Sequence, residues 1–278
     1  MSPLVIALAL CAAVLHATWN AALRSGADRA QFVTVMSFAT TVAAVPLLIL
    51  LPPPAAASWP YLGISAVLQV IYSFLLAYAY RHGELGQIYP IVRGSVPVLV
   101  TLGGFALAAQ ALSPLALLGV GIISAAIISL AIHGGHTERK ALALGVVTAV
   151  FVASYVTADV LGVHRAGRPQ SYAAWIWAAY GALMPLGLLA VQRRVRIDLP
   201  ARDVVKALLG GLLSFASYGA IIAALALGKA GSISALRETG IVFSALIGRC
   251  FLGEVLTPRR LAVCLAVTLG AVCIGYAG

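Results

Sequence analysis

Long apolar runs alternate with short polar breaks along the whole chain. Each run is roughly 20 residues, the length an α-helix needs to cross the hydrocarbon core of a bilayer. Ten runs are delimited, at 3–22, 31–51, 59–80, 86–108, 114–132, 141–160, 171–191, 204–227, 231–251 and 259–277. The breaks carry turn chemistry: Arg24-Ser25-Gly26-Ala27-Asp28, Pro52-Pro53-Pro54, Arg81-His82-Gly83-Glu84, Gly134-Gly135 and Arg193-Arg194-Val195-Arg196. A segment in lipid must satisfy its backbone internally, so each run is predicted as a helix, and runs of this length do not suit β-barrel strands. The first run lacks a positive start. It places His16, Trp19 and Asn20 where the cleavage region of a leader would be small and bland, so it is read as the first span.

Composition agrees with lipid as the solvent. The 278 residues are 62% apolar and 9% charged, with a mean hydropathy of +1.03, against about 45–50% and about 25% in soluble domains. The fold class expected is an all-α polytopic membrane protein of ten transmembrane helices, with no sizeable domain outside the bilayer. The net charge of +10 is read as topology, not as a nucleic-acid surface. Twelve Lys and Arg residues fall at the odd-numbered loops and only Arg165, Arg168 and Lys229 at the even ones. This bias predicts cytoplasmic odd loops and both termini on the opposite, periplasmic side. Cys11, Cys250, Cys264 and Cys273 lie in apolar runs without paired spacing, so neither metal nor disulfide is expected.

The chain also repeats itself. A shift of 144 lays Gln110-Ala111-Leu112-Ser113-Pro114 on Glu254-Val255-Leu256-Thr257-Pro258, Arg93 on Arg237 and Gly104 on Gly248. A slightly smaller shift lays His16, Thr18 and Asn20 on Tyr155, Thr157 and Asp159. Two halves follow, residues 1–136 and 137–278, with five spans each. Five is odd, so the second half enters the membrane with opposite orientation, giving two inverted five-helix repeats with a site near the midplane.

The His16-Ala17-Thr18-Trp19-Asn20 start, the ten spans, and the turns Leu112-Ser113-Pro114 and Gly253-Glu254-Val255-Leu256-Thr257-Pro258 resemble the drug/metabolite transporter superfamily, with two EamA-like halves. Within it the chain is most similar to the YddG-type amino acid exporters. The first half departs from the Gly-Glu-x-Leu-Thr pattern, having Ala109-Gln110-Ala111-Leu112-Ser113, so capping of the next helix is the simpler role for Glu254. The resemblance implies a bacterial inner-membrane carrier that exports amino acids or related metabolites without ATP, by alternating access. The residues themselves add an absence: no phosphate-binding loop, haem or metal spacing, or nucleophile elbow. No cofactor and no enzymatic activity are expected. The expected partners are a small-molecule substrate and the bilayer, with the monomer as the working unit. A membrane-embedded lipid enzyme would have only His133, His136 and Glu138 to use, in a short loop.

Ionisable residues inside spans cost about 2.5–3.5 kcal/mol on insertion scales and mark functional positions. Three stand out: Arg93 in the fourth span, and Arg237 and Glu238 in the ninth. Arg93 shares a helix face with Pro97, Thr101 and Gly104. The two arginines, at matching positions of the halves, suit a substrate carboxylate held by parallel hydrogen bonds. A structural Arg93–Glu238 ion pair is the other reading. His16 and Asn20, one turn apart, and their counterparts Tyr155 and Asp159 suit an amino group or interhelical hydrogen bonds. Asp159 is placed at the membrane edge, with a proton relay as its other reading.

Aromatic side chains can receive cargo of many shapes. Tyr72, Tyr78, Tyr80, Tyr89, Trp175, Trp177, Tyr180 and Tyr218 are the candidates, of which Tyr78, Trp177 and Tyr218 are read as deep. Trp59, Tyr61, Tyr80 and Tyr172 are read as interfacial belt. Ser214, Ser217 and Ser244 either donate hydroxyls or ease tight crossings. Pro90 and Pro97 bracket Arg93, which makes the fourth span the one expected to bend.

Overall fold

The computed structural model describes residues 1–23, 28–82, 85–132, 139–193, 196–251 and 256–277. His133, His136, Glu138 and Glu254 lie outside the described residues, as do the side chains of Asn20 and Tyr80. The helices, in chain order, are α1 (Pro3–Leu23), α2 (Arg29–Leu50), α3 (Trp59–His82), α4 (Leu85–Ala108), α5 (Pro114–Ile132), α6 (Arg139–Val163), α7 (Pro169–Gln192), α8 (Ala201–Leu227), α9 (Ala230–Arg237), α10 (Gly240–Phe251) and α11 (Pro258–Tyr276). Among the described residues, nine helical stretches are long and apolar enough to cross a bilayer, and Pro3–Trp19 of α1 is a tenth, shorter one.

The helix ends are built as the sequence chemistry requires. Asp28 caps α2 by accepting from the Ala30 and Gln31 amides. The Ser-Pro and Thr-Pro turns start α5 and α11 alike: Ser113 Oγ accepts from the Ala116 amide and Thr257 Oγ1 from the Arg260 amide. Proline follows in both cases, where a missing N–H costs nothing.

The ninth span departs from the expected single helix over 231–251. It is broken at Glu238 and Thr239 into α9 and α10. Through the break the amides of Glu238, Thr239, Ile241 and Val242 bond three residues back instead of four. Thr239 Oγ1 donates to the Leu236 carbonyl at 2.7 Å, offering that backbone an alternative to the helical ladder. The local sequence, Ala230-Gly231-Ser232-Ile233-Ser234, is poor in strong helix formers. Gly240 restarts the helix close against α1, where a Cβ would stand 3.2 Å from the Ala13 carbonyl oxygen. The fourth span, expected to bend when access changes, is one continuous helix here, with Pro90 and Pro97 inside it.

Packing partners come in exchanged couples. α1 packs on α8 as α3 packs on α6, α1 on α9 and α10 as α6 on α4, and α2 on α8 as α7 on α3. α2 also meets α7, α5 meets α11, and α4 meets α9. Small residues allow the closest crossings, as expected where no hydrophobic force drives helices together in lipid. The α5–α11 crossing rests on Gly119 and Gly270, whose missing Cβ atoms would fall 2.6 and 2.8 Å from each other's carbonyl oxygens. One seam is loose. α4 packs along α5, whereas α10 barely touches α11, leaving an apolar groove of about 470 Å³. Ile6 and Leu10 of α1, Val242 and Phe243 of α10, and Ala271 and Val272 of α11 line it.

Gly270→Val should therefore wedge α5 from α11. The expected cost is about 1–3 kcal/mol by overpacking, read as a lower unfolding temperature in detergent, with Gly121→Val, which has open space around it, as the neutral control.

Candidate functional site

The break in the ninth span delivers Arg237 and Glu238 into the bundle beside α1, α4 and α6. Arg93 Nε of α4 approaches Glu238 Oε2 to 3.0 Å, an ion pair by distance whose N–H does not point at that oxygen. Arg93 is 8% exposed and Glu238 4%. The Tyr89 ring lies 5.7 Å from the Arg93 guanidinium carbon, close enough for a cation–π contact. Of the two readings of Arg93 and Glu238, the structure contains the pair.

Arg237 is placed differently. Its Nη2 lies 3.3 Å from His16 Nδ1. A guanidinium has only donors, so Nδ1 is the acceptor and carries no proton in this arrangement. His16, buried in α1, meets Trp19 edge-on at 4.8 Å. Tyr155 of α6 lies within reach of the Arg237 side chain, and Tyr72 of α3 stands 5.8 Å from Tyr155 ring to ring. The cluster thus holds two guanidiniums, one carboxylate and an imidazole that accepts, which leaves one positive charge in excess. Among the described residues, no acceptor meets the buried N–H groups Arg93 Nε, Arg237 Nε and Trp19 Nε1. Every unmet polar atom of this cluster is a donor. The site is chemically prepared for an acceptor carrying negative charge.

A second polar network sits among α3, α6, α7 and α8. Asp159 is wholly buried within the protein, and α6 continues to Val163, three residues past its expected end. Tyr172 Oη donates to Asp159 Oδ1 at 3.0 Å and Tyr218 Oη donates to Oδ2. Gln69 Nε2 donates to Tyr218 Oη and to Ser65 Oγ, both at 3.1 Å. Tyr172, expected in the interfacial belt, is fully buried, because its ring fills the space above Gly162, where a Cβ would fall about 2.5 Å away. Trp177 packs 5.0 Å from Tyr218, and among the described residues its indole N–H meets no acceptor. Ser73 and Tyr180 hydroxyls share a bond at 3.0 Å.

The remaining sequence candidates scatter. Tyr78, expected deep, is 46% exposed on α3. Ser217 is committed to the Ala12 carbonyl across the α1–α8 contact. Ser244, in α10, is half-buried. Pro90 and Pro97 are buried in α4, one turn either side of Arg93. Sequence reasoning missed Ser65 and Gln69, whose only signal was being polar and one turn apart within an apolar run.

Residues 139–276, from the start of α6 to the end of α11, match the EamA-like transporter family. No curated protein matches the chain. A protein of known crystal structure is 15% identical to it, over 97% of this chain and 95% of its own length, with a TM-score of 0.77; at that identity the likeness shows the fold alone. The EamA-like segment supports the drug/metabolite transporter superfamily, and with the apolar helices it indicates a multi-pass membrane protein.

Removing one partner of the buried pair should expose its cost. Glu238→Ala is expected to destabilise the protein by about 3–5 kcal/mol, and the paired replacement Arg93→Met with Glu238→Leu to recover most of that loss. Thermal unfolding of the three variants in one detergent checks this.

Proposed function

We propose that this chain is a secondary transporter that exports amino acids across the bacterial inner membrane, by alternating access between inverted halves at residues 1–136 and 137–278. Arg237 carries the reading. Arg93 is paired with Glu238, whereas among the described residues the groups within hydrogen-bond range of Arg237 are His16 and the Tyr155 phenol, with the Glu238 carboxylate acting on both guanidiniums. A substrate carboxylate at Arg237 would accept the unmet guanidinium N–H and cancel the excess charge. Glu238 balances Arg93 and is the group able to receive an ammonium; His16 and Asn20 orient the substrate; Tyr155, Trp177, Tyr218 and Ser244 form the wall for its side chain.

The exchanged packing couples and the start of the family match at residue 139 support the two halves. The positive-charge count supports cytoplasmic odd loops and periplasmic termini. Pro90 and Pro97 remain the proposed bending points of α4, and the ready-made break between α9 and α10 is its counterpart. The monomer is the proposed working unit. A lipophilic cation is disfavoured as cargo because it would add to a positive excess. Another small metabolite with an acid group is the second reading, on the same donor pattern.

Counterflow into proteoliposomes with a panel of labelled amino acids, at equal pH on both sides, tests the proposal. Saturable uptake of at least one amino acid is expected. Arg237→Ala should weaken its apparent affinity roughly ten- to hundred-fold, the worth of a charge-assisted hydrogen bond, with Arg237→Lys between the two. Normal transport of a carboxylate substrate by Arg237→Ala would remove the carboxylate clamp from the mechanism.

A further inference from the structure

Asp159 itself has no part in holding the substrate as described above, although its donor Tyr218 stands in the proposed wall, and it is a second intramembrane acid. We infer that Asp159 is a proton-binding site, reached only when the helices move, and that its proton is the ion coupled to transport; the coupling half of this inference rests on the transporter reading.

The argument starts from what surrounds the carboxyl group. Asp159 has no exposed surface, and its hydrogen-bond partners are hydroxyls: Tyr172 from α7, Tyr218 from α8, and Ser65 from α3. Gln69 of α3 stands behind Tyr218 and Ser65, and Tyr155 lies one turn back on α6 itself. The charged groups nearest in sequence are turned elsewhere. His164 Nδ1 meets the Val160 carbonyl, Arg165 donates to the Leu161 carbonyl and covers the Tyr61 ring, and Lys229 of the α8–α9 turn donates to the Ala111 carbonyl. α4 meets α6 through Gly103 on Thr157 and Ile91 on Gly145, and its one charged residue, Arg93, acts on Tyr155 while paired with Glu238. A buried carboxylate held by neutral donors and no cation exchanges its charge for a proton far more readily than one in an ion pair such as Glu238.

The geometry also supplies a consequence of protonation. Both phenols now donate to Asp159, each to its own oxygen. A proton on Oδ2 would face the Tyr218 hydroxyl hydrogen, so Tyr218 must turn its donor away. Tyr218 packs on Trp177, and Tyr155 on the same face of α6 reaches Arg237. Proton occupancy is thereby felt at the wall and at the clamp of the substrate site. Closure from water adds the other requirement: a site that opens only with the helices couples a proton to switching, whereas an open one would leak.

The test has two arms. Infrared difference spectra of reconstituted protein without substrate, taken across a pH series, should show a protonated-carboxyl band that is absent in Asp159→Asn and displaced along the pH axis in Tyr218→Phe and Tyr172→Phe, which keep the acid. In proteoliposomes, an imposed pH gradient should drive accumulation of the transported amino acid by the wild type. Asp159→Asn should lose that accumulation while keeping counterflow exchange within about two-fold. A band unchanged in Asp159→Asn, or gradient-driven accumulation that survives in it, overturns the inference. Loss of the band in Asp159→Asn with no amino acid carried by any variant leaves the proton site standing and overturns the transport reading instead.

Discussion

A guanidinium inside a bilayer has no water to turn to, so the protein must answer it with groups of its own. Arg93 and Arg237 impose that demand on this fold, and the architecture around them is arranged to meet it. At a separation of 3 Å in a poorly polarisable interior, the attraction between Arg93 and Glu238 is much stronger than the same pair would feel in water. It also carries the desolvation of both ions, so neither partner is dispensable alone. α4 contributes one side of the pair and the broken ninth span the other; α1 reaches the same point through His16. An unbroken helix over 231–251 would keep successive side chains a fixed 100° apart, whereas the tightened turn at Glu238 sets Glu238 toward α4 and Arg237 toward α1.

The two polar networks differ in kind. Around Arg237 the unmet atoms are donors and the charge balance is positive. Around Asp159 both carboxylate oxygens are met by hydroxyls, with one amide behind them, while the Trp177 N–H beside Tyr218 meets no acceptor among the described residues. A buried N–H without an acceptor costs about as much as a lost hydrogen bond. A filled network, by contrast, holds α3, α6, α7 and α8 in one arrangement and resists change until something alters its hydrogen count. The pairing of an unfilled site with a filled one on neighbouring faces of α6 places Tyr155 between them.

Most of the spans were legible as apolar runs because lipid enforces length and composition together. The observed helices follow those runs to within a few residues at nearly every end. Arg93, Arg237 and Glu238 were legible because charge within such a run is rare. What stayed hidden depended on small displacements. α6 runs three residues past its apolar run and packs Asp159 inside the protein, and α7 starts earlier than expected, with Tyr172 lying on Gly162. The break in the ninth span was not legible because no proline marks it; it comes from Ser, Thr and Gly competing weakly with the ladder and from the approach of Ala13. Tyr78 is 46% exposed, and depth along a helix does not say which side of it a ring occupies.

The loose seam between α10 and α11 has a further consequence. Its groove is apolar and lies beside the broken helix, and in a bilayer acyl chains are as apolar as such a lining and would fill it. Under the proposed transport reading, a shift of α10 would displace those chains, so the chain length and lateral pressure of the surrounding bilayer would enter the energetics of switching.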